Sequence, residues 1–121
     1  MLSINFYSAD GIENDSVDLS EEFYASLAHS RFSKIAEATS TLLALEEETI
    51  SLPLVELVPE VRSGYIQFLS DAIVEGTKTL LEHLDRANTV NIIEDDKERL
   101  KMSIALLTLF KNEGYRYLGY Y

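Results

Sequence analysis

The residue types that could do chemistry in this chain are carboxylates, two histidines and a run of tyrosines. Its 121 residues include 21 Asp or Glu and seven Tyr, but no Cys. Without cysteine, disulfides, thiol nucleophiles and thiolate metal sites are excluded. His29 and His83 each lack a Glu three residues earlier, so the pattern of helical di-metal sites is absent. We expect no metal and no cofactor, and surface or boundary positions for both histidines.

Other local signatures of catalysis or metal binding are also missing. The five glycines are too scattered for a phosphate-cradling loop, and no G-x-S-x-G or S-x-x-K motif occurs. Asp10 and Glu21 occupy the first and twelfth positions of a calcium-loop spacing. However, Ile12 stands at the third position, and Asp15 replaces the glycine required at the sixth. The calcium loop is therefore rejected.

The charge is strongly acidic and unevenly spread. The chain carries −11 at neutral pH, with a net of −10 in residues 1–60 and −1 in residues 61–121. Such a field repels phosphate backbones and anionic lipid, so we expect neither nucleic-acid binding nor membrane docking. It would attract a basic protein instead. The alternative interpretation is that the acidity only maintains solubility.

Two groups of residues are candidates for binding a partner. The first is the carboxylates concentrated in the first half of the chain: Asp10, Glu13, Asp15, Asp18, Glu21, Glu22, Glu46, Glu47 and Glu48. The second is an aromatic tail, because tyrosine is enriched at protein interfaces: Tyr115, Tyr117, Tyr120 and Tyr121. The alternative for the tail is ordinary packing within a strand.

The first half of the chain predicts one strand, one loop and one helix. Residues 2–7 alternate apolar and polar, which is the period of a half-buried strand. Residues 8–18 lack a hydrophobic period and predict an exposed loop. A helix capped by Asp18 or Ser20 should follow and extend to Leu45, with a break around residues 29–33.

The segment from Ile50 to Val58 is ambiguous between an extended strand and a short buried helix. Pro53 cannot donate a ladder hydrogen bond, so a strand here should lie at a sheet edge.

The second half of the chain predicts two long helices and a final strand. Apolar residues from Pro59 to Leu84 recur at steps of three and four, which predicts a central helix. Gly76 interrupts this stripe, as expected at a close helix approach or a kink. A last helix should run from Ile92 to Lys111, with a capping box between Asn91 and Glu94. Residues 115–121 have strand composition and could pair with the first strand.

These elements predict a single domain of residues 1–121 with an α-rich α+β fold. We expect three main helices and a small two- or three-stranded sheet formed by the terminal strands, with residues 50–57 as the candidate third strand. An all-α bundle is the alternative. No signal peptide or membrane-spanning stretch is evident, so we expect a cytoplasmic protein.

The leading functional hypothesis is a small acidic protein that neutralises or regulates a basic protein partner. Its most concrete form is a bacterial immunity protein or antitoxin whose carboxylates occupy the phosphate-binding space of a nuclease-type toxin. A self-associating structural subunit is the alternative. A small enzyme with a carboxylate pocket is the third hypothesis, because 21 acids could always bring two carboxylates together.

Overall fold

A computed structural model describes residues 2–45, 48–86 and 89–120. Within these ranges the chain forms three α-helices, a short 3-10 turn and five strands. In chain order the elements are β1 (Leu2–Ser8), β2 (Asn14–Leu19), α1 (Glu21–Ala28), the 3-10 turn (Arg31–Lys34), β3 (Thr39–Leu45), β4 (Glu48–Glu56), α2 (Pro59–Asp85), α3 (Val90–Phe110) and β5 (Tyr115–Tyr120).

The strands form one antiparallel sheet in the order β2-β1-β5-β4-β3. The predicted two- or three-stranded sheet is therefore wrong, as is the all-α alternative, although the mixed α+β class holds. The two strands that were not predicted, β2 and β3, lie at the two edges of the sheet. An edge strand leaves one row of backbone groups unpaired and is often rich in charged or polar residues. This explains why β2 resembles a loop in sequence.

The predicted helix from Ser20 to Leu45 is wrong beyond its first two turns. The Ser20 side chain caps α1 as expected, accepting a hydrogen bond from the Phe23 amide at 3.2 Å. α1 ends at Ala28, where the break was predicted, but no α-helix resumes. Residues 39–45 instead pair one by one with β4, from Thr39 opposite Leu54 to Leu45 opposite Glu48.

The strand interpretation of residues 50–58 is confirmed, and the short helix is wrong. The expected edge position is also wrong, because β4 lies between β3 and β5. Pro53 is nevertheless tolerated inside the sheet. The register of β4 with β5 covers only Val55 and Glu56, so Pro53 lies outside that ladder and opposes Ser40 of β3.

The terminal strands and both long helices lie where the sequence predicts them. β1 and β5 pair antiparallel, with Ile4 opposite Tyr120. α2 begins at Pro59, and an added Cβ on Gly76 would lie 3.0 Å from Cδ2 of Leu100, which confirms a close helix approach. The capping box of α3 is wrong, since Thr89 is the cap and accepts from the Ile92 amide.

The core joins the helices to one face of the sheet through a cluster of aromatic rings. Tyr65 of α2 stacks on Phe110 of α3 with centroids 4.6 Å apart. Phe110 meets Phe6 of β1 edge-on at 4.9 Å, and Phe32 of the 3-10 turn lies 4.9 Å from Tyr65. Such geometries are favourable for aromatic pairs. The sheet, both long helices and the 3-10 turn are thus held at a single point.

The two long helices extend past this core. The buried residues of α2 are Tyr65 and Leu69, and those of α3 are Ser103, Leu106 and Phe110. The fully buried residues are thus confined to the first half of α2 and the second half of α3. We call the remaining helical hairpin, residues 70–85 and 90–102, the helical arm.

Candidate functional site

The predicted acidic residues lie in separate places. Asp10, Glu13 and Asp15 lie at the turn end of the β1–β2 hairpin, and Asp18 lies at its other end, near the start of α1. Glu21 and Glu22 are exposed in the first turn of α1. Glu48 begins β4, on the far side of the sheet from β2. Glu46 and Glu47 lie outside the described residues. The seven described acids therefore do not form one continuous surface.

The Asp10 carboxylate forms hydrogen bonds within its own turn. Its carboxylate accepts a hydrogen bond of 2.6 Å from the Ser8 hydroxyl and one of 3.0 Å from the Ile12 amide. These bonds, the Ser8 bond first, lower the pKa of Asp10 from its ordinary value. Gly11 has a φ of 76°, which a residue with a side chain rarely adopts. Asp10 and Gly11 thus shape the turn, and the hydrogen bonds to Asp10 favour the ionised form of its carboxylate.

The strongest candidate site is a groove between β2, α1 and α3, which we call the acidic groove. It has a volume of about 380 Å³ and is lined by Asp18, Leu19, Ser20, Glu22, Asp95, Glu98, Arg99 and Met102. β2 contacts α3 directly, so residues from the two ends of the chain meet here. The Ser3 hydroxyl donates to Asp18 at 2.8 Å and orients this carboxylate at the strand end.

The acidic groove concentrates negative charge that remains open to solvent. Four exposed carboxylates and one exposed guanidinium, that of Arg99, line the groove, and one of the four, Glu98, also pairs with Lys101 at 3.5 Å. Carboxylate acid catalysis depends on burial in a poorly solvated pocket, which these exposed groups lack. Carboxylates that line a common recess attract a positive charge even when each of them is exposed to solvent. The arrangement therefore favours recognition of a cationic group.

The sequence predicted two of the four carboxylates that line this groove. Asp18 and Glu22 were among the predicted binding residues, whereas Asp95 and Glu98 were not. The available signal was their spacing: Asp95, Glu98 and Met102 recur at steps of three and four, which puts them on one side of α3. Which element that side faces depends on the position of β2, and β2 was not predicted.

The aromatic tail is divided among three environments. Tyr115 packs on Phe6 at 5.9 Å, and its pKa is raised by burial and then by the charges of Asp15 and Glu13. Tyr117 packs with Leu43 and Leu54 in a small apolar cluster apart from the main core. Tyr121 lies outside the described residues.

Tyr120 occupies the third environment, where its hydroxyl lies 3.1 Å from that of Tyr65. The described tyrosines of the tail are thus all half-buried strand residues. Their part in binding a partner stays a prediction.

The two histidines differ in their surroundings. His29 is exposed and follows α1 as its C-terminal cap. His83 is half-buried in the helical arm, where its Nδ1 lies 2.5 Å from Oδ2 of Asp96. This contact joins α2 to α3 near the tip of the arm. Among the residues that the structure describes, no group of three or more His, Asp or Glu side chains could hold a metal ion.

Comparisons with models of protein families, with curated proteins and with solved structures find no match to this chain. Within the described ranges, none of the helices has both the length and the apolar character needed to cross a membrane.

Proposed function

We propose that this protein is a small cytoplasmic binding protein that neutralises or regulates a basic protein partner through the acidic groove. The observation that carries the proposal is the convergence of Asp18, Glu22, Asp95 and Glu98 from three elements on one recess. An immunity protein or antitoxin directed against a nuclease-type toxin is its most concrete form. In that case the carboxylates would take the place of substrate phosphates.

The physical basis is electrostatic steering followed by local pairing. A net charge of −11 attracts a basic protein over distances comparable to the Debye length, roughly 8–10 Å in physiological salt. Within the groove, a lysine or arginine can then form charge-assisted hydrogen bonds with the carboxylates. Steering mainly raises the association rate, which should therefore fall as salt is added.

Affinity capture from the source cell, at low and then physiological salt, tests this proposal with three baits. The first is the wild-type chain, and the second is a groove variant carrying Asp18→Asn, Glu22→Gln, Asp95→Asn and Glu98→Gln. The third is a matched control that loses the same charge from exposed positions of α2: Glu60→Gln, Asp71→Asn, Glu82→Gln and Asp85→Asn.

We expect the wild type and the control to retain one basic polypeptide in near-stoichiometric amount, and the groove variant to retain much less. Equal retention by the groove variant and the control would place the contact elsewhere. Recovery of the bait alone in all three cases would contradict the proposal.

A second candidate function, a self-associating subunit, is favoured by the exposed apolar residues of the two long helices. Their exposed fractions are large: Val74 54%, Leu81 55%, Leu84 48%, Val90 73% and Ile104 51%. Val74 and Leu81 lie two turns apart on one side of α2, away from the side that packs Leu69 into the core. A two-helix hairpin cannot cover such a face by itself, but pairing two hairpins into a four-helix bundle would cover it.

Three ion pairs lie beside these exposed apolar side chains. The lysines near the exposed side chains each lie 3.5 Å from a glutamate one turn away: Lys78 with Glu75, Lys97 with Glu94 and Lys101 with Glu98. Exposed pairs of this kind add little stability. The arm carries eight Asp or Glu against four Lys or Arg, so pairing of two arms should strengthen as added salt screens their mutual repulsion.

Light scattering distinguishes this second candidate from a monomeric binding protein. Self-association through the arm predicts a dimer that Leu81→Lys disrupts. The control is Ile12→Lys, which changes an apolar residue of 78% exposure in the β1–β2 turn and should leave the dimer intact. A monomer at all accessible concentrations, or a dimer insensitive to Leu81→Lys, would rule the arm out as the interface.

A further inference from the structure

A second recess lies beside the terminal strands, on the side of α1 and the 3-10 turn. It has a volume of about 360 Å³, within the range of small-molecule sites, roughly 300–1,000 Å³. Ile4 of β1 and Tyr120 of β5 line it from the sheet. Tyr24 and Leu27 of α1, together with Phe32, contribute the opposite wall. The lining is thus mostly apolar and aromatic, as is usual for such sites.

Small side chains leave this recess open, and fixed contacts hold its walls. Ala28, Ala36 and Ala38 lie at its border and are too small to fill it. The Ser30 hydroxyl donates to the Leu27 carbonyl at 2.7 Å and accepts from the Phe32 amide at 3.2 Å, which connects α1 to the 3-10 turn. Phe32 is fully buried. The walls are therefore in place before any ligand arrives.

One proton of the Tyr65–Tyr120 hydroxyl pair has no acceptor among the residues that the structure describes. The Tyr65 and Tyr120 oxygens lie 3.1 Å apart, and this is the one hydrogen bond that either hydroxyl makes with the described residues. Two phenols carry two protons, and their mutual bond uses one. Tyr65 is fully buried, whereas Tyr120 lines the recess. When Tyr65 donates to Tyr120, the Tyr120 proton is free for an acceptor in the recess.

The charge state of this pair suits donation to a neutral acceptor. Burial raises the pKa of Tyr65 and of Tyr120, so both hydroxyls stay protonated at physiological pH. Glu37 is an exposed residue of the lining, where its negative charge disfavours an anionic ligand. The recess offers apolar walls, the hydroxyl side chains of Tyr24, Ser33 and Tyr120, and one carboxylate, that of Glu37.

We propose that this recess binds a small uncharged aromatic molecule whose carbonyl oxygen accepts a hydrogen bond from the Tyr120 hydroxyl. The ring would lie against Leu27 and Phe32. This site is independent of the acidic groove, since the two recesses share no lining residue. An inhibitor of a basic protein could thereby carry a separate small-molecule input.

Three probes of similar size test the proposal by titration of the labelled protein in two-dimensional NMR. Acetophenone has the ring and the acceptor, ethylbenzene lacks the acceptor, and benzoate carries a negative charge. We expect saturable shifts of residues lining the recess with acetophenone, at least fivefold weaker binding of ethylbenzene, and no saturable shifts with benzoate. Fivefold corresponds to one ordinary hydrogen bond of about 1 kcal/mol.

Two variants make the test specific. Tyr120→Phe removes the donor and should lower acetophenone affinity about fivefold, to the level of ethylbenzene. Ala28→Trp adds a large side chain at an exposed position of the lining and should abolish the binding of acetophenone and of ethylbenzene. The proposal is overturned if acetophenone gives no saturable shifts, if it binds no better than ethylbenzene or benzoate, or if natively folded Ala28→Trp protein binds it unchanged.

Discussion

The guanidinium of Arg62, in the first turn of α2, donates a hydrogen bond of 2.7 Å to the carbonyl of Phe110, the last residue of α3. The same group donates to the Asn112 carbonyl at 3.1 Å and to the Tyr115 carbonyl. The last carbonyls of a helix have no partner within the helix. Arg62 therefore supplies donors to the end of α3 and fixes the start of β5 beside it.

Arg62→Ala should lower the free energy of unfolding by about 2–4 kcal/mol, because it removes charged hydrogen bonds and leaves their acceptors without that donor. Urea unfolding at neutral pH measures the change. Arg116→Ala is the control: its side chain is exposed, and the expected change is within about 0.5 kcal/mol. Equal losses in the two variants would contradict this role for Arg62.

Leu43→Ala and Leu42→Ala together test whether residues 39–45 form a strand. Leu43 is 2% exposed and packs with Leu54, whereas its neighbour Leu42 is 72% exposed. Leu43→Ala should cost about 2–5 kcal/mol, and Leu42→Ala less than about 0.5 kcal/mol. Thermal or urea unfolding checks both. Similar costs for the two variants would contradict the alternation that β3 requires.

The Tyr65–Tyr120 pair should make the fold sensitive to alkali. Burial raises both pKa values, so the protonated pair stabilises the fold below the unfolded-state pKa of about 10. As pH rises above that value, the unfolded state loses protons first and stability falls. The double variant Tyr65→Phe, Tyr120→Phe should be nearly as stable as the wild type at neutral pH and lose less above pH 10. Urea midpoints across pH measure this, and an identical alkaline loss in both proteins would exclude the pair as its source.

Asp10 should make the stability of the fold depend on pH in the opposite direction, with a loss in acid. Its lowered pKa, due first to the Ser8 hydroxyl, means that its contribution is present above the unfolded-state pKa and lost as pH falls through the folded-state value. Ser8→Ala removes that bond and should raise the pKa of Asp10 towards its ordinary value. NMR titration of the Asp10 carboxyl carbon measures the shift. An unchanged pKa in the variant would show that the Ser8 hydroxyl is not its main cause.

The parts of the fold predicted from the sequence are those whose own pattern of side chains matches their environment. Tyr65 and Leu69 belong to the apolar stripe of α2 and are buried in the core. β1 alternates apolar and polar residues because one of its faces packs on the core. Gly76 was expected at a close helix contact, and it lies against Leu100. In these segments local periodicity and tertiary packing agree.

Two strands could not be predicted because long-range pairing determines them. Leu42 and Leu45 continue a helical spacing, yet residues 39–45 extend because each can pair with β4. In β2, Asp15 and Asp18 obscure the alternation of Val17 and Leu19, which pair opposite Ile4 and Leu2.

The acidic groove also depends on contacts between residues that are distant in sequence. Asp18 and Glu22 could be nominated from charge alone. Their meeting with Asp95 and Glu98 depends on β2 lying beside α3, a contact between residues distant in sequence. Composition predicted an excess of negative charge, but only the fold determines that Glu48 lies far from this group.

The salt dependence of association with the captured basic partner tests the central proposal most directly. Stopped-flow or surface-based kinetics would compare the wild type, the groove variant and the matched α2 control from low to physiological salt. We predict that the wild type and the control associate rapidly at low salt and slow steeply as salt rises. The groove variant should start slower and show a shallower slope, because local charge at the contact contributes most to steering. Identical rates and slopes for the groove variant and the control would contradict a contact at the acidic groove.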